Sequence, residues 1–142
     1  MGNAVYGEGK ETLEEVVGRQ LAARSQTIAV AEAGTGGQVA ARLSAVPASP
    51  QFFRGGSLAA PDPALSAEQL AQEVRRAPNA DWGLGLVLAP REKGYQAQIA
   101  LAWAKKVKTH TLGYGGPPAS APLWAGTQAL NWLRLKLLET GA

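Results

Sequence analysis

The stretch Ile28-Ala29-Val30-Ala31-Glu32-Ala33-Gly34-Thr35-Gly36-Gly37-Gln38-Val39-Ala40-Ala41-Arg42-Leu43 decides the fold. Its apolar start predicts a short buried strand, its glycines predict a tight turn, and its later residues predict an amphipathic helix. In α/β proteins, small molecules commonly bind where the C-terminal end of a strand meets the N-terminus of a helix. The turn itself offers backbone N–H groups and one hydroxyl, but no thiol, acid, base or imidazole, so it is better equipped to bind than to react.

Composition excludes several classes of protein. The chain has 142 residues, of which 46% are hydrophobic and 18% charged, as in an ordinary globular protein with one core. It has no cysteine and a single histidine, His110, which excludes disulfides, thiolate nucleophiles and multi-histidine metal sites. No apolar run approaches the ~18 residues of a transmembrane helix, and the N-terminus lacks signal-peptide features. We therefore expect a cytoplasmic protein with no metal, no cofactor and no membrane contact.

The positive charge is dispersed along the chain. The formal net charge is +3, and the densest cluster of cations is Lys105-Lys106-Val107-Lys108. This cluster falls in a predicted edge strand, where lysines commonly oppose edge-to-edge association. We therefore do not expect nucleic acid to be a partner.

Hydrophobic periodicity predicts the order helix, strand, helix, strand, helix, strand, strand, strand, helix. Early strand-helix-strand units favour parallel pairing and the later short links favour hairpins, so we expect a mixed sheet with helices on both faces. We expect residues 1–10 to form a leader or linker and residues 11–142 to form a single domain. Strands are predicted at residues 27–31, 57–60, 82–89, 95–103 and 107–112, and helices from Thr12, after the turn, from Ser66 and from about Leu123 to Glu139.

Two further patterns predict local structure. Gly55 and Gly56 precede a strand, which suggests a β-bulge or a close approach of another backbone. The helix after Ser66 is expected to bury a stripe made of Leu70, Val74 and Ala77.

The turn has competing interpretations. Gly34-Thr35-Gly36-Gly37 either cradles a phosphate, with Arg54 or Arg91 nearby, or is a tight turn kept for its backbone angles, and we favour the second. The Thr35 hydroxyl is either a replacement nucleophile or, as we favour, a helix cap. Glu32 remains open between a salt bridge, a capping carboxylate and a base.

Outside the turn, structural roles are favoured. His110 lies in an alternating strand with no partner visible in the sequence, so we expect a solvated or hydrogen-bonded residue rather than a base. The four tryptophans are spread over separate elements, which favours core or interface packing over the stacking of nucleic-acid bases.

The segment Ala31-Glu32-Ala33-Gly34-Thr35-Gly36-Gly37 resembles the turn of the CinA C-terminal domain, which usually reads Ala-Glu-Ser-Cys-Thr-Gly-Gly. CinA is the competence and damage-inducible protein, and the nicotinamide mononucleotide deamidases consist of the same domain. The similarity extends to the first sixty residues, and beyond them only to the order of elements. The other matching motifs are Val5-Tyr6-Gly7-Glu8-Gly9-Lys10-Glu11-Thr12-Leu13-Glu14-Glu15-Val16-Val17, Ala40-Ala41-Arg42-Leu43, Val46-Pro47, Phe52-Phe53 and Gly55-Gly56.

This resemblance implies a three-layer α/β/α domain with a mixed, mostly parallel sheet of about five strands, often self-associated. It also implies hydrolysis of nicotinamide mononucleotide to nicotinate mononucleotide and ammonia, with a serine nucleophile helped by a tyrosine and a lysine. Carried onto this chain, those three positions are Ala33, Ala60 and Leu65. None of them can attack an amide or move a proton.

We therefore predict a catalytically degenerate CinA-type domain with no catalytic residue, acting as an interaction or nucleotide-binding module. The alternative is an active nicotinamide-nucleotide amidase of pyridine nucleotide recycling. The expected partners are a second copy of the chain, a mononucleotide ligand or another protein. The degenerate and possible ligand-binding site is predicted to comprise Glu32, Ala33, Gly34, Thr35, Gly36, Gly37, Gly55, Gly56 and Ala60.

Overall fold

The computed structural model describes residues 11–60, 62, 64–76 and 78–140. The predicted leader, residues 1–10, lies outside this part of the chain. Helices and strands occur in the predicted order, with short 3₁₀ turns at Ser49–Gln51 and Pro118–Ser120. The main elements are α1 (Leu13–Ala23), β1 (Ile28–Ala33), α2 (Gln38–Ser44), β2 (Phe53–Ala59), α3 (Ala67–Arg76), β3 (Trp82–Pro90), β4 (Tyr95–Trp103), β5 (Lys106–Tyr114) and α4 (Ala121–Thr140).

The five strands form one mixed sheet in the order β2-β1-β3-β4-β5. Strand β1 pairs in parallel with β2 and with β3. Strands β3, β4 and β5 pair antiparallel, through short links. The predicted mixed sheet is confirmed, with two of its four pairings parallel. The parallel part matters for the site, because the C-terminal ends of β1, β2 and β3 lie side by side.

Helices cover both faces of the sheet, which confirms the three-layer arrangement. On one face, α1, α2 and α4 enclose the main core with strand residues such as Ile28, Leu84 and Ile99. On the other face, α3 lies over a smaller cluster that includes Ala33 and Val87. No helix in the described residues, α4 included, is long and apolar enough to cross a membrane.

Several local predictions are confirmed and some element bounds are corrected. Thr12 and Glu15 form the complete capping box at the start of α1. The bulge expected at Gly55 and Gly56 is present as a register shift against β1, with φ of +118° at Gly55. Strands β1, β2, β3 and β5 are longer than predicted and α4 begins earlier, because sheet pairing and the preceding turn extend elements beyond their periodic residues.

The stripe expected on α3 is wrong in its main residues. Ala67 and Ala71 are fully buried, whereas Leu70 and Val74 are only partly buried. The predicted third member, Ala77, lies outside the described residues. Small residues face the sheet here because α3 sits unusually close to two glycines of β3.

The glycines of β3 allow this close approach. A Cβ atom at Gly83 would lie 2.0 Å from the carbonyl oxygen of Ala71, and one at Gly85 would lie 2.1 Å from that of Ala67. Both contacts are far shorter than van der Waals distance and involve backbone atoms that cannot rotate away. The helix therefore packs its backbone directly on the sheet.

We predict that Gly85→Ala lowers the free energy of unfolding by about 2 kcal/mol, because the added methyl forces α3 away from the sheet. Chemical denaturation measures the change. Gly113→Ala in β5 is the matched control, since a Cβ there has open space around it. The control is expected to change stability by less than about 0.5 kcal/mol. Equal stability of the two variants would contradict the close packing of α3.

Candidate functional site

The glycine-rich turn joins the end of β1 to the start of α2. Three of its residues have positive φ angles: Gly34 at +86°, Gly36 at +68° and Gly37 at +85°. A Cβ at Gly34 would lie 2.2 Å from the backbone oxygen of Leu88 at the end of β3. Backbone angle and close approach both require glycine at position 34, which supports the interpretation as a tight turn.

Glu32 is a buried carboxylate that caps α2. Its side chain is only 1% exposed. Oε1 accepts hydrogen bonds from the Val39 amide at 3.0 Å and the Thr35 hydroxyl at 2.6 Å, and Oε2 accepts one from the Ala40 amide at 2.8 Å. A negative charge beside these first-turn amides also interacts favourably with the helix dipole. Of the three interpretations left open by the sequence, the capping carboxylate is confirmed.

Thr35 does not cap the helix itself, so the favoured interpretation of its hydroxyl is wrong. The N-cap residue of α2 is Gly37, and it makes no side-chain capping bond. Thr35 is 4% exposed and donates its hydroxyl to Glu32. The helix begins too late in the chain for Thr35 to reach its amides, so the hydroxyl acts by fixing the carboxylate that does.

The same contacts weaken the phosphate-cradle interpretation of the turn. Val39 and Ala40 supply first-turn amides of the kind that bind a phosphate at a helix N-terminus. Both amides are already bound to Glu32, an internal anion. A phosphate placed there would find both donors occupied, and the negative charge of the carboxylate would repel it.

The three positions that the resemblance matches to the family's serine, tyrosine and lysine lie at one end of the sheet. Ala33 ends β1 and pairs with Ala59 of β2, so Ala60 follows beside the turn. Leu65 is partly buried and packs on the same small cluster as Ala33. Because neighbouring residues of a strand face opposite sides, Ala33 points toward α3 while Glu32 points toward α2.

The two glycines of β2 lie farther from this point. Gly56 pairs with Val30, three residues before Ala33, which corresponds to about 10 Å along the strand. A different residue of β2 reaches the turn: a Cβ at Gly37 would lie 3.2 Å from a methyl of Leu58. The structure thus brings together Glu32 to Gly37 with Ala60, and leaves Gly55 and Gly56 to one side.

A cavity of about 400 Å³ opens on the α3 side of this end of the sheet. Its charged lining residues are one acid, Asp62, and one cation, Arg91. An Asp62 carboxylate oxygen accepts a hydrogen bond from the Ala64 amide at 2.8 Å. Sequence patterns missed most of this lining, because the residues come from two loops and two strands without a shared motif. The cavity is lined by Asp62, Leu65, Val87, Ala89, Pro90, Arg91 and Gln98.

Of the two arginines considered for a phosphate, only Arg91 lies near the turn. Arg91 follows β3 at its C-terminal end. Arg54 is the second residue of β2, whose first residue pairs with Ile28 at the start of β1. Arg54 is therefore at the opposite end of the sheet, and its predicted place beside the turn is wrong.

The aromatic side chains pack against one another and are not part of the candidate site at the turn. Trp82 stacks on Trp103 with ring centroids 4.9 Å apart. Tyr114 and Trp124 lie 4.8 Å apart. The exposed imidazole of His110 lies 5.3 Å from Trp132. No group of three acidic, histidine or cysteine side chains suited to a metal ion is found in the described part of the chain.

Comparison with known proteins identifies the class of this domain. Residues 10–60 match the family model of the CinA C-terminal domain. A CinA superfamily protein of Klebsiella pneumoniae 700603 has the same fold, with a TM-score of 0.82 and 20% identity over 89% of this chain and 96% of its own. The CihA protein of Agrobacterium tumefaciens gives a TM-score of 0.76 at 18% identity, over 95% of this chain and 98% of its own.

Curated relatives agree in sequence. A CinA-like protein of Anaeromyxobacter dehalogenans is 31% identical over 163 aligned positions, which cover 96% of this chain and 40% of that protein. A CinA-like protein of Chlorobium limicola is 53% identical over 55 residues, or 39% of this chain and 13% of its own. The sequence matches therefore tie residues 10–60 to the CinA C-terminal domain, and the chain as a whole is similar to CinA-like proteins. It spans 40% of the length of the relative from A. dehalogenans.

Proposed function

We propose that this is a CinA-type domain that has lost amidase activity and acts as an interaction or nucleotide-binding module. The observation that carries the proposal is the chemistry of the positions matched to the family's serine, tyrosine and lysine. They are Ala33, Ala60 and Leu65. A methyl and an isobutyl group neither attack a carbonyl carbon nor accept a proton, and loss of a nucleophile alone costs several kcal/mol of transition-state stabilisation.

Among the described residues at the turn, none is placed to replace the serine nucleophile. The Thr35 hydroxyl proton is engaged by Glu32, and both Glu32 oxygens accept helix amides. This pair faces α2, on the opposite side of β1 from Ala33 and the cavity. A substrate amide lying over Ala33 would therefore be separated from Thr35 and Glu32 by the strand itself.

Short connections support the same proposal. Seven residues join β2 to α3, and four join β3 to β4. The alignment with the A. dehalogenans protein runs over 163 positions, more than the 142 residues of this chain, so that protein has segments that this chain lacks. Loops at the C-terminal ends of strands normally complete a ligand site in an α/β fold.

A binding function without chemistry is supported by the cavity beside Arg91. Its guanidinium is the single cation among the lining residues, and an arginine suits a phosphate by paired hydrogen bonds. Self-association, expected from the family, remains a proposal too, for which the exposed Leu123, Leu135 and Leu138 of α4 offer apolar surface.

We predict that the purified protein releases no ammonia from nicotinamide mononucleotide above a protein-free blank. A CinA-type protein with the serine, assayed in parallel, provides the positive control. Ammonia release in proportion to added protein would overturn the proposal. If release were seen, a Thr35→Ala variant would show whether that hydroxyl carries it, since unchanged turnover excludes a threonine nucleophile.

A further inference from the structure

A second cavity, of about 300 Å³, lies at the end of the sheet opposite to the glycine-rich turn. Its walls are the end of α3, the loop after it and the hairpin turn between β4 and β5. The six residues of β1 separate the two ends, which corresponds to about 20 Å. This second cavity is therefore separate from Ala33, Ala60 and Leu65, the positions matched to the family's serine, tyrosine and lysine.

The charges of this cavity are of one sign. Four cationic side chains line it and no carboxylate does: Arg75, Arg76, Lys105 and Lys106. Within the described part of the chain, the ion pairs that form involve other cations. The carboxylate of Asp81, just beyond the lining residue Ala80, is held by the Thr27 amide at 2.8 Å. Four like charges around one concavity create a positive potential that an anion would relieve.

Arg75 is held in place for such a contact. Its Nε donates to the Ala80 carbonyl at 3.1 Å, and its Nη1 donates to the Ala104 carbonyl at 2.8 Å. A guanidinium has five N–H groups, so three remain for a ligand, including both on Nη2. The two carbonyls belong to lining residues from different segments, Ala80 after α3 and Ala104 between β4 and β5. The guanidinium is thus tied to both segments, and less side-chain entropy is lost when a ligand binds.

The lysines alone have a simpler explanation, since lysines on an edge strand oppose association of sheet edges. That explanation accounts for Lys106 in β5 but not for Arg75 and Arg76. The arginines come from α3, on a different layer, and they line the same concavity. Convergence of cations from two layers on one cavity is the feature that points to a ligand.

We propose that this cavity binds a small phosphate-bearing ligand with at least two negative charges. Arginine presents paired donors that match phosphate oxygens, and the lysines add charge. The concave shape and modest volume favour a small molecule over the extended backbone of a nucleic acid, which would track a groove or stripe. Inorganic pyrophosphate is the simplest probe of this chemistry.

Calorimetric titration of the full chain with inorganic pyrophosphate at low salt tests the proposal. The expected result is saturable binding at one site that weakens as salt rises. The double variant Arg76→Gln/Lys105→Gln should bind about tenfold or more weakly, because two charge-assisted contacts are lost. Arg54→Gln/Lys93→Gln removes the same charge from exposed residues outside this cavity, and should bind within about twofold of the wild type.

Three outcomes would overturn the proposal. One is the absence of saturable binding to the wild-type protein, and another is an equal loss of affinity in both double variants, which would indicate only the effect of net charge. The third is tighter binding of duplex DNA than of pyrophosphate with the same dependence on Arg76 and Lys105, which would indicate a polymer site. Both double variants change only exposed side chains, and circular dichroism would verify that each variant is folded. None of these outcomes depends on amidase activity.

Discussion

Glu32→Ala is expected to lower the free energy of unfolding by about 3 kcal/mol. The substitution removes the acceptor of the Val39 and Ala40 amides and of the Thr35 hydroxyl. Glu32 is almost fully buried, so the freed donors are poorly placed to regain water. Thermal denaturation should show a fall in Tm of about 10 °C.

The control for Glu32→Ala is Glu68→Ala. Glu68 also lies in the first turn of a helix, but its side chain is exposed. Its loss removes only a favourable interaction with the helix dipole, about 0.5 kcal/mol. Glu32→Gln keeps the shape of the side chain and one acceptor oxygen, so its loss of unfolding free energy should lie between those of the two alanine variants. If Glu32→Ala were as stable as Glu68→Ala, the carboxylate would not be a structural cap.

Gly34→Ala is expected to destabilise the domain by about 3–4 kcal/mol, the sum of two effects. An alanine at φ +86° adopts a backbone conformation that L-residues avoid. Its Cβ would also overlap the carbonyl oxygen of Leu88, at 2.2 Å. Either the turn or the end of β3 must move. Urea denaturation gives the change in free energy.

Gly36→Ala separates the two effects. Gly36 has a similar positive φ of +68°, but no atom lies within 4 Å of the position of its Cβ. This variant should lose about 1 kcal/mol from backbone strain alone. A Gly34→Ala variant no less stable than Gly36→Ala would contradict the close approach of β3 to the turn.

The fold could be predicted from the sequence because its signals are local. Thr12 caps α1 as expected, and β4 has the predicted bounds, Tyr95 to Trp103. The order of elements then limited the sheet to a mixed one, because short links fix hairpins and helical links fix parallel pairs.

The packing of α3 could not be predicted in the same way. Hydrophobicity favours Leu70 and Val74 for the buried face, and the structure buries Ala67 and Ala71. The reason lies in Gly83 and Gly85 of β3, which come later in the chain and admit the helix backbone itself. A periodic pattern within one helix carries no information about how closely the neighbouring strand allows that helix to pack.

The sequence predicted the place of the glycine-rich turn between β1 and α2, but not the hydrogen bonds within it. Ala33 and Ala60 lie beside this turn, at the ends of β1 and β2. The role of Glu32 depends on amides seven and eight residues further along, which a single sequence does not reveal. Arg54 was misplaced because its position along β2 depends on sheet register.

The cap formed by Glu32 offers a physical reason for keeping the turn in a domain that, as we propose, has lost its nucleophile. The residues on either side of Ala33 stabilise the fold. Glu32 accepts hydrogen bonds from the first turn of α2, and Gly34 allows β3 to approach the turn closely. Ala33 itself makes neither contact. A change from serine to alanine at that position is therefore compatible with the stability of the turn.

The most direct test of the proposed silent site is a single-turnover experiment with protein in excess over nicotinamide mononucleotide. Mass spectrometry then detects nicotinate mononucleotide even if the product stays bound to the protein. The proposed loss of activity predicts that no product forms beyond the protein-free control over a day of incubation. Nicotinate mononucleotide accumulating with the wild-type protein, in an amount that follows the protein concentration, would contradict it.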